Sequence, residues 1–231
     1  PVTDIRIHRD DIALSTMGRG FWILDKGANT LRQLAQGPDA TSLALFSPAD
    51  TVRFRKVYGA PDADAVPQFP TPGVLVDYRL PEGGADALKL EVLDADGKVI
   101  NTYRSAAEGE EAMDTIVRDN MAMSTVDYIE GETLTTHAGI NRFRWNMRAR
   151  GAWNEDADER FKDGPLVPPG SYTLRLTAGD EVLTSDATIV VDPRVASTGV
   201  SDADIRAQYA LQTKVRDLLD AARRRADELS G

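Results

Sequence analysis

Apolar and polar residues alternate through most of this chain, and the spacing changes to three or four residues only near its end. Strands are therefore expected first and a helix last. Ile5-Arg6-Ile7-His8 is a short alternating strand closed by the turn Arg9-Asp10-Asp11. Ile12 to Met17 and Phe21 to Leu24 read as two further strands, with Gly18-Arg19-Gly20 between them. Two glycines around one residue permit the positive φ that a tight hairpin needs. Phe21, Trp22, Ile23 and Leu24 break the alternation. Four apolar side chains in succession point to both sides of a strand, so both sides need cover. Three short antiparallel strands make most of a four-stranded propeller blade, yet the pattern has no second copy in the chain. Residues 1–36 are thus expected to be a blade remnant and an interface, with Phe21, Trp22, Ile23 and Leu24 at its centre.

Thr30 to Gln36 has the content of a short helical turn, while Leu43 to Phe46 and Thr51 to Val57 look extended. Pro61, Pro67, Pro70 and Pro72 follow closely. Proline fixes φ and removes a backbone donor, so residues 37–72 are expected to be a connector. Beyond it, Val74 to Leu80 alternates, and so does Leu88 to Leu93, with Leu88, Leu90 and Val92 on one side. Asp94-Ala95-Asp96-Gly97 is a hairpin turn into Val99 to Arg104. A later strand carries Ile140, Phe143, Trp145 and Met147 as its apolar positions. Two more, Ser171 to Ala178 and Val182 to Val191, are joined by Gly179-Asp180. Short strands divided by polar turns suit an immunoglobulin or fibronectin-III-like β-sandwich over 73–195. Residues 106–138 interrupt it as an insertion, with helix-compatible content from Glu108 to Met123. Residues 196–231 are expected to be a C-terminal helix. Ser201 and Asp204 make a capping-box-like start, and Ile205, Tyr209, Gln212, Val215, Leu219, Ala222, Ala226 and Leu229 form a stripe that should dock on the sandwich or on a propeller.

Composition narrows function by exclusion. The 231 residues carry a net charge of −10, which disfavours nucleic acid as a partner. Cysteine is absent, so disulfides, thiolate metal sites and Cys nucleophiles are excluded together. No apolar run approaches the roughly 20 residues of a membrane span. The chain starts at Pro1 rather than Met, and is read as a trimmed piece of something longer.

Candidate chemistry is sparse. His8 and His137 are the only histidines and lie in no recognisable catalytic or metal motif. Asp94 to Gly97 begins like a calcium loop but lacks the rest. Asn154 to Glu159 is an acidic loop with a residual calcium hypothesis; a solvated loop is the expectation. Trp153 beside it is a candidate platform for a sugar ring, against the plainer expectation of local packing. No carboxylate pair stands out for glycoside hydrolysis, so no catalytic residue, cofactor or metal is assigned.

One resemblance emerges from these motifs. Gly139-Ile140-Asn141-Arg142-Phe143-Arg144-Trp145-Asn146 with Pro168-Pro169-Gly170-Ser171-Tyr172-Thr173-Leu174 resembles a signature of the Ig-like region attached to bacterial sortilin-type, BNR-repeat β-propellers. The same strand pair is similar to the Ig-like domain of flagellar hook-cap proteins. Ser15-Thr16-Met17-Gly18-Arg19-Gly20-Phe21-Trp22-Ile23-Leu24-Asp25 resembles the end of the sortilin-type family's last blade, with Met17 where a His is usual. The resemblance implies an exported or periplasmic accessory module, partnered by the preceding propeller of the same protein or by a second copy. Its alternative implication is part of a glycoside-hydrolase-like enzyme whose site lies mainly in the propeller.

Overall fold

The computed structural model describes residues 1–37, 41–54, 72–106, 116–117, 128–129, 133–153 and 163–230. Most of the proline-rich stretch, most of the 106–138 insertion and the acidic loop after Trp153 lie outside them. The chain opens with β1 (Val2–His8), β2 (Asp11–Thr16) and β3 (Phe21–Leu24), an antiparallel sheet in that order. Helix α1 (Gly27–Gln36) follows, then the short strands β4 (Ala44–Leu45) and β5 (Thr51–Arg53). Strands β6 (Val74–Leu80), β7 (Leu88–Leu93) and β8 (Val99–Arg104) match the alternating runs of the sequence. A two-residue ladder joins β9 (Ile116–Val117) to β10 (Tyr128–Ile129). Then come β11 (Gly139–Trp145), the small hairpin of β12 (Arg148–Arg150) and β13 (Asp163–Leu166), β14 (Gly170–Ala178) and β15 (Glu181–Val191). A single turn, α2 (Pro193–Ala196), precedes the long helix α3 (Asp202–Ser230).

Two sheets share the principal core. One is five-stranded in the order β5-β15-β14-β7-β8; the other is three-stranded, β11-β6-β4. All neighbours are antiparallel except β15 and β5. The stretch read from the sequence as a connector therefore places an edge strand in each sheet: Thr51 pairs with Ile189, and Ala44 with Arg79. Period two puts Val74, Val76, Tyr78 and Leu80 of β6 opposite Leu174 and Leu176 of β14 and Leu90 and Val92 of β7, all buried. Trp145 is wholly buried at the centre. Its ring meets Tyr172 edge-on at 5.3 Å, and its Nε1 donates to the Arg148 carbonyl at 3.0 Å. A buried indole needs such an acceptor.

Two expectations need correction. Ile140 is half exposed, and Asn141 takes the inward position with Phe143, Trp145 and Met147. Strict alternation counted back from Trp145 demands this phase, and Ile140 is apolar by composition alone. Asn141 is satisfied there: its Nδ2 donates to the carbonyls of His137 at 2.7 Å and Gly139 at 3.0 Å, and its Oδ1 accepts from Thr135 Oγ1 at 2.8 Å.

The second correction concerns α3. Its start is as read: Ser201 Oγ accepts from the Asp204 N–H at 3.2 Å, and the Asp204 carboxylate accepts from the Ser201 N–H at 2.9 Å. Ile205 is buried and Tyr209 packs on the core. Beyond Tyr209, the side turned to the sheets carries Thr213, Arg216, Asp220 and Arg223, whereas Val215, Leu219 and Leu229 are exposed. The apolar stripe of the sequence thus docks only through its first two members.

Candidate functional site

The N-terminal sheet lies outside the shared core; its middle strand is half-buried, and its outer strands keep their apolar side chains in solvent. Phe21 is 84% exposed, Trp22 59%, Ile23 69% and Leu24 49%. Successive residues of a strand face opposite ways, so both faces of β3 are open. Ile5 and Ile7 on β1, at the other edge, are equally exposed. Pairing is regular nonetheless: Ile12 faces Leu24, Leu14 faces Trp22, and Thr16 Oγ1 donates to the Gly20 carbonyl at 2.9 Å across the turn. Gly18 (φ 87°) and Gly20 (φ 69°) take the left-handed geometry that this turn requires.

Helix α1 fastens this sheet to the three-stranded sheet. Towards the N-terminal sheet, Arg32 Nη1 donates to Asp10 Oδ1 at 2.6 Å, and the Ala28 N–H donates to the Asp10 carbonyl at 2.9 Å. Towards the core, Asn29 Nδ2 and Gln33 Nε2 both donate to the Ser47 carbonyl, at 2.7 and 2.8 Å. The Thr30 hydroxyl donates to Asp77 Oδ2.

Asp77 is the centre of this bracket. It is buried on the outer face of β6, directly opposite Arg142 of β11 in the ladder. Arg142 grips it bidentately, Nε to Oδ1 at 2.6 Å and Nη2 to Oδ2 at 2.8 Å. The remaining guanidinium nitrogen donates to the Asp25 carbonyl at 2.9 Å. One arginine therefore neutralises a buried carboxylate and holds the end of the exposed hairpin. The pairing with Asp77 raises Arg142 above its ordinary value and outweighs the opposing effect of burial.

The Asp25 side chain has a second role beside this bracket. Its carboxyl neighbours that of Asp11 and is raised from the ordinary carboxylate range, by burial first and then by that neighbour. Asp11 Oδ1 also accepts from the Lys26 N–H at 3.0 Å, and the Lys26 ammonium stands 3.7 Å away. Two carboxyls this close hold one proton more readily than either does alone.

The other sequence candidates, except His8, which faces Asp11 in the β1–β2 ladder, are placed apart from this surface. Trp153 lies against α3: its backbone N–H donates to Asp220 Oδ1 at 2.8 Å, and the Arg224 guanidinium sits 4.9 Å over its ring. One face of the indole is thus occupied by a cation. His8 ends β1, and His137 lies in the loop before β11. Asp94 Oδ1 accepts from the N–H groups of Asp96 and Lys98 at 3.1 and 2.9 Å, the use a turn makes of its first Asp. Among the described residues no group of three or more His, Cys, Asp or Glu side chains is placed to hold a metal ion.

Sequence reading missed Asp77, Arg142 and Thr30, which sit at polar positions of strands or in a weak helix. The available signal was Asp77 and Arg142 facing each other in the β6–β11 ladder, visible only once the register of that pair is known. No protein-family model matches the chain, and no curated protein does.

Proposed function

We propose that this chain is a non-catalytic accessory module of a sortilin-type β-propeller protein. In this reading an Ig-like sandwich presents an N-terminal blade remnant against which a propeller blade packs. The observation that carries it is β3: four consecutive apolar residues, open on both faces, on a sheet tied to the core through Asp77 and Arg142. An open apolar sheet held in place is a surface prepared for a partner. A β-rich partner that continues the stack suits it best, because three antiparallel strands are one short of a blade.

Further support comes from the two-sheet core. Tyr172, at the start of β14, donates its hydroxyl to the Pro168 carbonyl four residues upstream at 2.7 Å. That back-bond has the form of the tyrosine corner of Ig-like sandwiches. The chemistry available around the sheet binds and positions; it offers no assembled acid–base pair with a nucleophile. Export to the periplasm or beyond belongs to the same proposal, through the resemblance.

Titrating the chain with a purified BNR-repeat propeller that lacks the outer strands of its last blade tests the reading. Binding is expected, and it should be abolished in a Phe21→Asp, Ile23→Asp double variant that keeps its melting temperature. Failure of the propeller to bind, or binding that ignores the double variant, contradicts the reading. A panel of aryl-glycosides should show no turnover; hydrolysis lost on mutating one carboxylate would make the chain part of an enzyme instead.

A further inference from the structure

A second apolar surface lies far along the sequence from the N-terminal sheet, on α3. Leu211 and Leu218 are each 64% exposed, Val215 57% and Leu229 72%. With Ala222 these fall at 211, 215, 218, 222 and 229, which is the alternating four-three spacing of a heptad seam, and Arg225 fills the remaining place. At 100° per residue this seam is centred opposite the side bearing Ile205, Tyr209, Arg216 and Asp220. That opposite side is the docked one, held by Arg206 Nη2 on the Pro169 carbonyl at 3.0 Å and by Asp220 on the Trp153 N–H and Arg150. The helix is therefore fixed to its own body by one face and carries a coiled-coil seam on the other. The seam from Leu211 to Leu229 runs about 27 Å at the usual helical rise.

We propose that α3 pairs antiparallel with α3 of a second copy of this chain, making the protein a two-fold dimer through its C-terminal helices. Charge selects both the occupant and the direction. Lys214 and Glu228 flank the seam on the same side, and both are exposed. In an antiparallel pair the flanking positions of one side meet each other. With Leu218 packed on Ala222 of the second copy, Lys214 then faces Glu228 of that copy, twice by symmetry. A parallel pair gives Lys214 no such partner and sets Arg225 directly against Arg225. The antiparallel register sets Arg225 beside Val215, where its long stem packs and its head, already joined to Glu228 at 2.9 Å, reaches solvent. Because the docked and pairing faces are opposite sides of the helix, the two bodies lie on the outside of the pair and do not collide.

Sedimentation of the whole chain from micromolar to millimolar concentration reads the pairing. A monomer–dimer equilibrium is expected. Leu218→Glu should leave a monomer with little changed melting temperature, since that side chain is 64% exposed in its own body. Lys214→Glu should weaken the dimer several-fold, and adding Glu228→Lys should restore it. The chain has no cysteine, so orientation is read by introduced thiols. A Leu211→Cys chain mixed with a Leu229→Cys chain should cross-link, and Val215→Cys should not cross-link to itself. A chain that stays monomeric throughout overturns the proposal. A dimer that survives Leu218→Glu but is lost on Ile23→Asp moves the interface to the N-terminal sheet and overturns it equally. Self-cross-linking of Val215→Cys overturns the antiparallel arrangement.

Discussion

The N-terminal sheet and the two-sheet core are built from the same local grammar and end in opposite environments. Both are built mainly of short antiparallel strands joined by tight turns, and in each the pairing is regular apart from one bulge, at Val2–Asp4 in the sheet and at Val92–Leu93 in the core. In the core, Val74, Leu90, Trp145 and Leu174 are fully buried; in the sheet, every residue of β1 and β3 is exposed. Local pattern specifies that a strand forms, whereas burial depends on what the strand is laid against. The outer strands of the sheet are therefore held through the polar attachment and the half-buried β2, whereas the core is held by apolar contact. Each side of that contrast is open to a direct test.

The largest effect is expected in the core. Trp145→Ala removes a wholly buried indole and should cost on the order of 3–5 kcal/mol, as large aromatic deletions do. A denaturant titration with an unchanged slope would show this as a lowered midpoint. An unaltered midpoint would mean that the core is not organised around that ring.

The polar attachment should come next. Asp77→Ala leaves the Arg142 guanidinium without its carboxylate. The Asp77 side chain is 5% exposed and that of Arg142 32%, so the loss should be roughly 2–3 kcal/mol, below that of a fully buried pair. It should also raise hydrogen exchange in β1–β3 and α1 more than in β14, because those elements lose their tie. Uniform loosening of both regions would erase the distinction between them.

Acidity should act on the two ends of the molecule with opposite sign. The Asp220 carboxyl is held well below the usual range by Arg224, by the Trp153 N–H and by Arg150. Its stabilisation is complete above the unfolded value of about 4 and is lost as pH falls through the lower folded value. Asp25 is raised, so its folded form binds a proton more tightly than the unfolded chain does. Stability from that group falls as pH rises from about 4 through its elevated folded value. Mild acid should thus tighten the Asp11–Asp25 contact, and stronger acid should loosen α3 from Trp153. Asp25→Asn should remove the first effect and leave the second, read by exchange at Lys26 and Trp153 respectively.

The smallest change is expected where the sequence is most apolar. Phe21→Ser should alter the stability of the isolated chain by less than about 0.5 kcal/mol, as exposed substitutions do. A cost comparable to that of Trp145→Ala would show that the sheet belongs to a core after all.

The strands were legible because alternation is a local property: β1 to β3, β6, β7, β8, β14 and β15 fall where Ile5-Arg6-Ile7, Leu88-Lys89-Leu90 and their like put them. Phase was harder to read, since Ile140 and Asn141 exchange places once Trp145 fixes which residues face inward. What composition concealed was mostly relational. Thr51 joins a sheet through Ile189, and Asp77 acquires its meaning from Arg142 and Thr30, partners 65 and 47 residues away. The stripe on α3 was visible as periodicity, but Asp220 and Arg216 show that polar contacts can hold the docked side and release the apolar one.

Hydrogen exchange on the whole chain, alone and with the BNR-repeat propeller, compares the two regions under one set of conditions. In the chain alone, amides of β1–β3 should exchange through local opening, far faster than those at the centre of β14, which open only with the whole core. Added propeller should slow Phe21 to Leu24 while leaving β14 unchanged. Protection of β1–β3 equal to that of β14 in the chain alone would contradict the docking-surface reading, because the sheet would already have its cover.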